Sequence, residues 1–141
     1  MRVMVLVKAS KDYEAGKMPD TKLIEEMGKF NEELARAGVL VDAAGLKPSS
    51  QSKRVRFAGN KKMVIDGPFA ETKDLVGGFW LWQVKSMEEA IEWAMRCPKP
   101  HEEDCEIEIR PAFEASDFGP ELISELREQE QRLSEQIARK R

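Results

Sequence analysis

The sequence predicts an α+β domain, an antiparallel sheet that carries its helices on one face. Three observations predict it. Four stretches alternate at the strand period of two, two stretches repeat apolar residues at helical spacing, and Gly59-Asn60 ties neighbouring strands into a hairpin. At 141 residues the chain is long enough for one domain with a real core.

Residues 2–8 read as the first strand. Val3, Val5 and Val7 share one face, Met4 and Leu6 the other, so both faces are expected to be covered. Residues 9–19 read as a polar loop. Asp20 then suits the N-cap of a helix over 21–37, with Leu23, Ile24, Met27, Phe30, Leu34 and Ala37 at helical spacing. Gly38 stands where a left-handed residue would end that helix. Val39 to Leu46 reads as a second extended segment. Residues 53–57 and 61–65 form the hairpin, and 77–85 a long strand. Ser86 and Glu89 have capping-box spacing for a second helix through Ala90, Ile91, Trp93, Ala94 and Cys97, which Pro98 stops. Residues 105–113 alternate again, with Ile107, Ile109, Pro111 and Phe113 opposite Glu106, Glu108 and Arg110.

The order is β-α-β-β-β-β-α-β with one hairpin inserted in the middle, a ferredoxin-like plan. Residues 119–141 are read as a separate helical extension beyond a domain of residues 1–118. Ile123, Leu126, Leu133 and Ile137 make its apolar stripe, and Glu130 interrupts it. The helix is expected to dock on its own domain or on a partner subunit, the other reading being a frayed tail.

Charge excludes some partners. The net charge of −3 gives no basic footprint for nucleic acid. No apolar run approaches the roughly 20 residues that span a bilayer, so no membrane is expected. The apolar run at the N-terminus is too short for a signal peptide, and a cytoplasmic protein is expected. Cys97, His101 and Cys105 lack a metal knuckle, so no metal is expected, and a cytoplasmic chain disfavours a disulfide between the two thiols. With no phosphate-binding loop or dinucleotide fingerprint, no cofactor is expected either.

Special chemistry concentrates in Ile65-Asp66-Gly67-Pro68-Phe69-Ala70-Glu71-Thr72-Lys73 and Gly78-Phe79-Trp80-Leu81-Trp82-Gln83-Val84-Lys85-Ser86. With Glu89-Ala90-Ile91-Glu92-Trp93-Ala94, these residues resemble the DGPF branch of the YCII-related family. Met27-Gly28-Lys29-Phe30-Asn31-Glu32-Glu33-Leu34, Gly45-Leu46-Lys47-Pro48-Ser49-Ser50 and Glu106-Ile107-Glu108-Ile109-Arg110-Pro111 extend the resemblance over residues 1–118. It implies a ferredoxin-like domain that pairs sheet to sheet as a homodimer, a dimeric α+β barrel. The wider family has been suggested to be enzymatic on the strength of a His–Asp pair in a cleft. Here Asp66 is present, but the single histidine, His101, lies in a late acidic loop. Relatives of this branch are associated with extracytoplasmic-function sigma factors, which implies a regulatory setting.

Asp66 has two readings, an Asx-type turn before Pro68 or a carboxylate acting as general base at a cleft. Glu71 is a second carboxylate or a solvated loop charge. Trp80 and Trp82 share a strand face, as core, dimer interface or ligand wall. Lys8 and Arg110 point away from the helices. The expected ligand cluster is Asp66, Lys8 and Arg110 beside Trp80 or Trp82, with Glu71 near; the other reading is a salt-bridge network setting dimer register. Two functions follow: a small organic ligand bound in the barrel cleft with Asp66 as acid/base, or a non-catalytic accessory or sensor protein.

Overall fold

The computed structural model describes residues 1–70 and 74–140. Six strands and four helices follow in order: β1 (Arg2–Lys8), α1 (Lys11–Glu14), α2 (Thr21–Arg36), β2 (Leu40–Gly45), β3 (Lys53–Ala58), β4 (Lys61–Asp66), β5 (Val76–Gln83), α3 (Met87–Met95), β6 (Ile107–Pro111) and α4 (Pro120–Lys140). The chain forms two compact units, Met1–Pro111 and Ala112–Arg141.

In the first unit, β2, β5, β1 and β6 lie side by side in that order as one antiparallel sheet. β3 and β4 form a separate two-stranded ribbon. Without the ribbon and the single turn of α1 the path is β-α-β-β-α-β, the ferredoxin-like order expected.

Strand alternation sorts the sheet. Val3, Val5 and Val7 sit beside Trp82, Trp80 and Gly78, and all face the helices. Phe30 and Leu34 of α2 and Ala90 of α3 close this core. The Phe30 ring meets Trp80 and Trp82 edge to face at 5.8 and 6.3 Å and lies 6.4 Å from Trp93 of α3, which puts both helices on one face. Arg96, just beyond α3, pairs with Glu33 of α2. On the face away from α2 and α3, Met4, Leu6, Phe79 and Leu81 are half-buried. Indole Nε1 of Trp82, fully buried, has no hydrogen-bond partner among the described residues.

The caps follow the sequence closely. Asp20 accepts from Leu23 N–H at 2.8 Å, and Gly38 ends α2 at φ +73. Ser86 accepts from Glu89 N–H at 3.2 Å, but the Glu89 carboxylate returns to Lys85 N–H rather than to its cap.

Three expectations change. Residues 9–19 contain α1, a single turn capped by Ser10. The fully buried face of α2 starts only at Phe30; Met27 packs at the edge of the core, Leu23 is half-buried and Ile24 is 57% exposed, because Gly77 and Gly78 put no side chains beneath the first two turns. β6 stops at Pro111, which has no N–H to continue a ladder, and Phe113 is exposed.

In the second unit, α4 follows a short 3-10 turn over Ala115–Asp117, and Phe113 packs 5.5 Å from Phe118. Leu122, Leu133 and Ile137 of α4 are exposed.

Candidate functional site

The Asp66-Gly67-Pro68-Phe69 turn is bound into the frame of the protein. Asp66 ends β4 opposite Lys53 of β3, and its carboxylate takes the Lys53 ammonium at 2.6 Å. The side chain is 72% exposed. Gly67 N–H donates to Ser52 carbonyl at 2.9 Å, the Gly67-Pro68 bond is cis, and Phe69 N–H donates to Ser49 Oγ at 3.0 Å. The Arg54 guanidinium lies 3.6 Å above the Phe69 ring. Asp66, Gly67 and Phe69 thus each have a partner within the ribbon or the 48–52 segment.

Ser49 extends that binding inward. It is 5% exposed, its N–H donates to Glu14 Oε1 at 2.9 Å, and its hydroxyl donates to Glu14 Oε2. Glu14 belongs to α1, so one buried serine joins the signature turn to the helix that carries Tyr13.

The expected cluster of Asp66, Lys8 and Arg110 beside a tryptophan does not assemble. Lys8 reaches Glu108 at 3.3 Å and Arg110 reaches the same carboxylate at 3.1 Å, on the face away from α2 and α3. Trp80 and Trp82 point to the opposite face, because strand neighbours one residue apart project to opposite sides. Trp82 is in the core, Trp80 borders core and cleft, and Glu71 lies outside the described residues.

A cleft of about 820 Å³ opens where the core ends, beneath the first half of α2. Met18, Leu23, Ile24 and Met27 form its apolar wall. Trp80 and the glycines of β5 form its floor. Met18, 79% exposed, stands there without apolar cover.

Four polar residues converge on this space: Ser10, Tyr13, Asn31 and His101. The Ser10 hydroxyl accepts from Tyr13 N–H at 3.0 Å, capping α1 and fixing the tyrosine. Tyr13 donates its hydroxyl to Gly77 carbonyl at 2.8 Å. Burial pushes its phenol above the ordinary value of 10.0; a Leu46 backbone group opposes this and the Glu14 carboxylate adds to it. Asn31 accepts the Trp80 indole N–H at 2.7 Å, which identifies the bonded atom as its oxygen. Its amide nitrogen has no partner among the described residues.

The His101 ring stands edge-on to Tyr13 at 5.9 Å, with Nε2 2.8 Å from Lys8 carbonyl. A carbonyl only accepts, so Nε2 carries the proton and Nδ1 of the neutral ring is an acceptor. The acidic loop that holds His101 is thereby bound to the end of β1. Lys17–Glu102 at 3.4 Å and Lys11 N–H to Glu103 at 3.1 Å tie the same loop to the region of α1.

Elsewhere, Cys97 and Cys105 are free thiols bordering a second cavity of about 400 Å³. Burial, with a smaller contribution from Cys105, pushes the Cys97 thiol up to about 11. Among the described residues no three His, Cys, Asp or Glu side chains converge as a metal site. No helix among them is long and apolar enough to cross a membrane.

Sequence reasoning missed Ser10, Tyr13, Asn31 and His101 as a group. The one local signal was Ser10 three residues before Tyr13, the spacing of an N-cap.

Residues 1–114 match the model of the YCII-related domain. Over 95 residues the chain is 30% identical to an uncharacterized protein of Rhizobium meliloti (strain 1021), covering 67% of this chain and 77% of that protein.

Proposed function

The chain belongs to the YCII-related domain family, and from that premise we propose that it binds a small organic molecule in the cleft beneath the first half of α2. One observation carries this reading: an apolar space of about 820 Å³ onto which a few polar groups converge, including Tyr13, Asn31 and His101. That size and that mix of lining are those of small-molecule sites. Any cofactor-free acid–base step falls to His101 rather than to Asp66. The imidazole is half-buried with its tautomer set, whereas Asp66 is exposed and held by Lys53.

A thermal-shift screen of metabolites against wild type and Gly28→Phe tests the reading. Gly28 borders the cleft, and a Cβ there meets nothing within 4 Å, so the variant fills the space without backbone strain. A compound that stabilises wild type and not the variant is the expected result. Equal shifts for every compound would place binding elsewhere.

A homodimer through the sheet face away from α2 and α3 belongs to the same reading. The half-buried Met4, Leu6, Phe79 and Leu81 and the Lys8–Glu108–Arg110 group supply an apolar centre and a polar margin. Light scattering that finds only monomer at micromolar concentration would remove it. The free thiols Cys97 and Cys105 suit a reducing, cytoplasmic setting.

The second reading, an accessory or sensor protein in a regulatory setting, is favoured by the exposed Leu133 and Ile137 of α4. Photo-crosslinking from position 137 in cells tests it; crosslinks confined to this chain would leave no regulatory partner there.

A further inference from the structure

The charges around the cleft select the chemical class of its ligand. Asp12, Asp20, Glu26, Glu102 and Glu103 border it, against Lys17, Lys22 and Lys99. Each lysine already has a carboxylate. Lys17 reaches Asp12 at 3.8 Å and Glu102 at 3.4 Å, Lys22 reaches Glu26 at 3.9 Å, and Lys99 reaches Asp104 at 3.8 Å. No arginine borders the cleft among the described residues. A carboxylate or phosphate placed there would therefore meet an acidic surround with no unpaired lysine or arginine among the described residues to receive it.

The unspent hydrogen-bonding capacity is neutral and has two signs. Asn31 has given its oxygen to Trp80 and keeps its amide N–H groups. His101 has given Nε2–H to Lys8 and keeps Nδ1 as an acceptor. Neither remaining atom has a partner among the described residues. The Trp80 ring and aliphatic side chains line the same cleft, and they favour an apolar body.

Resting on the binding function proposed above, we infer that the cleft takes an uncharged, mainly apolar molecule with a carbonyl acceptor for Asn31 and a hydroxyl or N–H donor for His101. Anionic metabolites, including phosphorylated ones and free carboxylic acids, are excluded by the acidic mouth.

Calorimetric titration of the full chain with three matched probes tests this. They are 6-acetyl-2-naphthol, which is neutral with donor and carbonyl; 6-hydroxy-2-naphthoate, which is anionic; and 2-acetylnaphthalene, which lacks the donor. Nile red, a neutral apolar dye, reports whether the cleft takes any small molecule. The acetylnaphthol is expected to bind about ten-fold or more tightly than either of the other two. His101→Phe, which keeps a ring and loses Nδ1, is expected to remove the advantage over 2-acetylnaphthalene. Asn31→Asp, which still accepts from Trp80 but cannot donate, is expected to weaken the acetylnaphthol by a similar factor. Naphthoate binding as tightly as the acetylnaphthol would overturn the assignment of class while leaving small-molecule binding in place, as would equal binding of all three. Nile red and all three probes failing to bind wild type would overturn both. The comparison on wild type stands even if a variant does not fold.

Discussion

Gly67 approaches Ser49 so closely that a methyl group on its Cα would lie 1.7 Å from the Ser49 carbonyl oxygen. Backbone on both sides leaves nothing flexible to yield. Gly67→Ala is therefore expected to destabilise the protein by about 3 kcal/mol, measured by urea unfolding. Gly28→Ala is the contrast, in the open interior of α2, and is expected to add about 1 kcal/mol. A Gly67→Ala protein as stable as wild type would mean that the turn does not need the contact.

Ser49→Ala removes the hydroxyl that Glu14 receives and the acceptor that Phe69 N–H uses. Leaving these half-buried groups unmet should cost about 2 kcal/mol. The same change should loosen α1, so amide exchange is expected to quicken at Tyr13 as well as at Phe69. Faster exchange at Phe69 alone would show that the turn and the cleft are uncoupled.

Asp66→Asn separates the two readings of that carboxylate. The exposed pair with Lys53 contributes within about 1 kcal/mol. Stability and binding of a cleft ligand should both stay near wild type. A loss of binding of ten-fold or more would return Asp66 to the site.

Tyr13 gives an alkaline signature. Its phenol is raised in the folded state, so the neutral form is favoured by folding, and that stability is fully present below the unfolded value near 10.0. It is lost as pH climbs through the raised folded value. Wild type should lose stability relative to Tyr13→Phe only above about pH 10, read from denaturation midpoints. A crossing near neutrality would contradict it.

Cys97 follows the same sign over a window that runs from its ordinary 9.0 up to about 11. In a Cys105→Ser background, alkylation of Cys97 by iodoacetamide should be slow at pH 8 and still accelerating at pH 10. A rate already level at pH 9 would show a more acidic thiol than its burial allows.

The strands and helices were legible because their signals are local. The alternation of Val3, Val5 and Val7, the Asp20 and Ser86 caps and the Gly59-Asn60 turn each lie within a few residues of what they specify. α1 was not legible, since Lys11 to Glu14 is one turn and too short for periodicity to register. The cleft was not legible for a different reason. Tyr13, Asn31, Trp80 and His101 are distant in sequence, and only the sheet order, with β1 between β5 and β6, places them together. His101 reads as a loop residue until Lys8 is seen to receive it. The signature turn drew notice because its chemistry is contiguous, and its residues turn out to be engaged with Lys53, Arg54, Ser49 and Ser52.

The position of β1 has a consequence for how the chain is made. Val3 pairs with Trp82 on one side and with Pro111 on the other, so β1, made well before β5 and β6, is among the last strands of its sheet to be completed. At about 5–20 residues per second, the ribosome leaves this valine-rich segment with an open edge for several seconds or more. Contacts this remote in sequence also make closure of the sheet the slow step of folding. Nascent chains halted before residue 111 should therefore depend on chaperones far more than chains released after it.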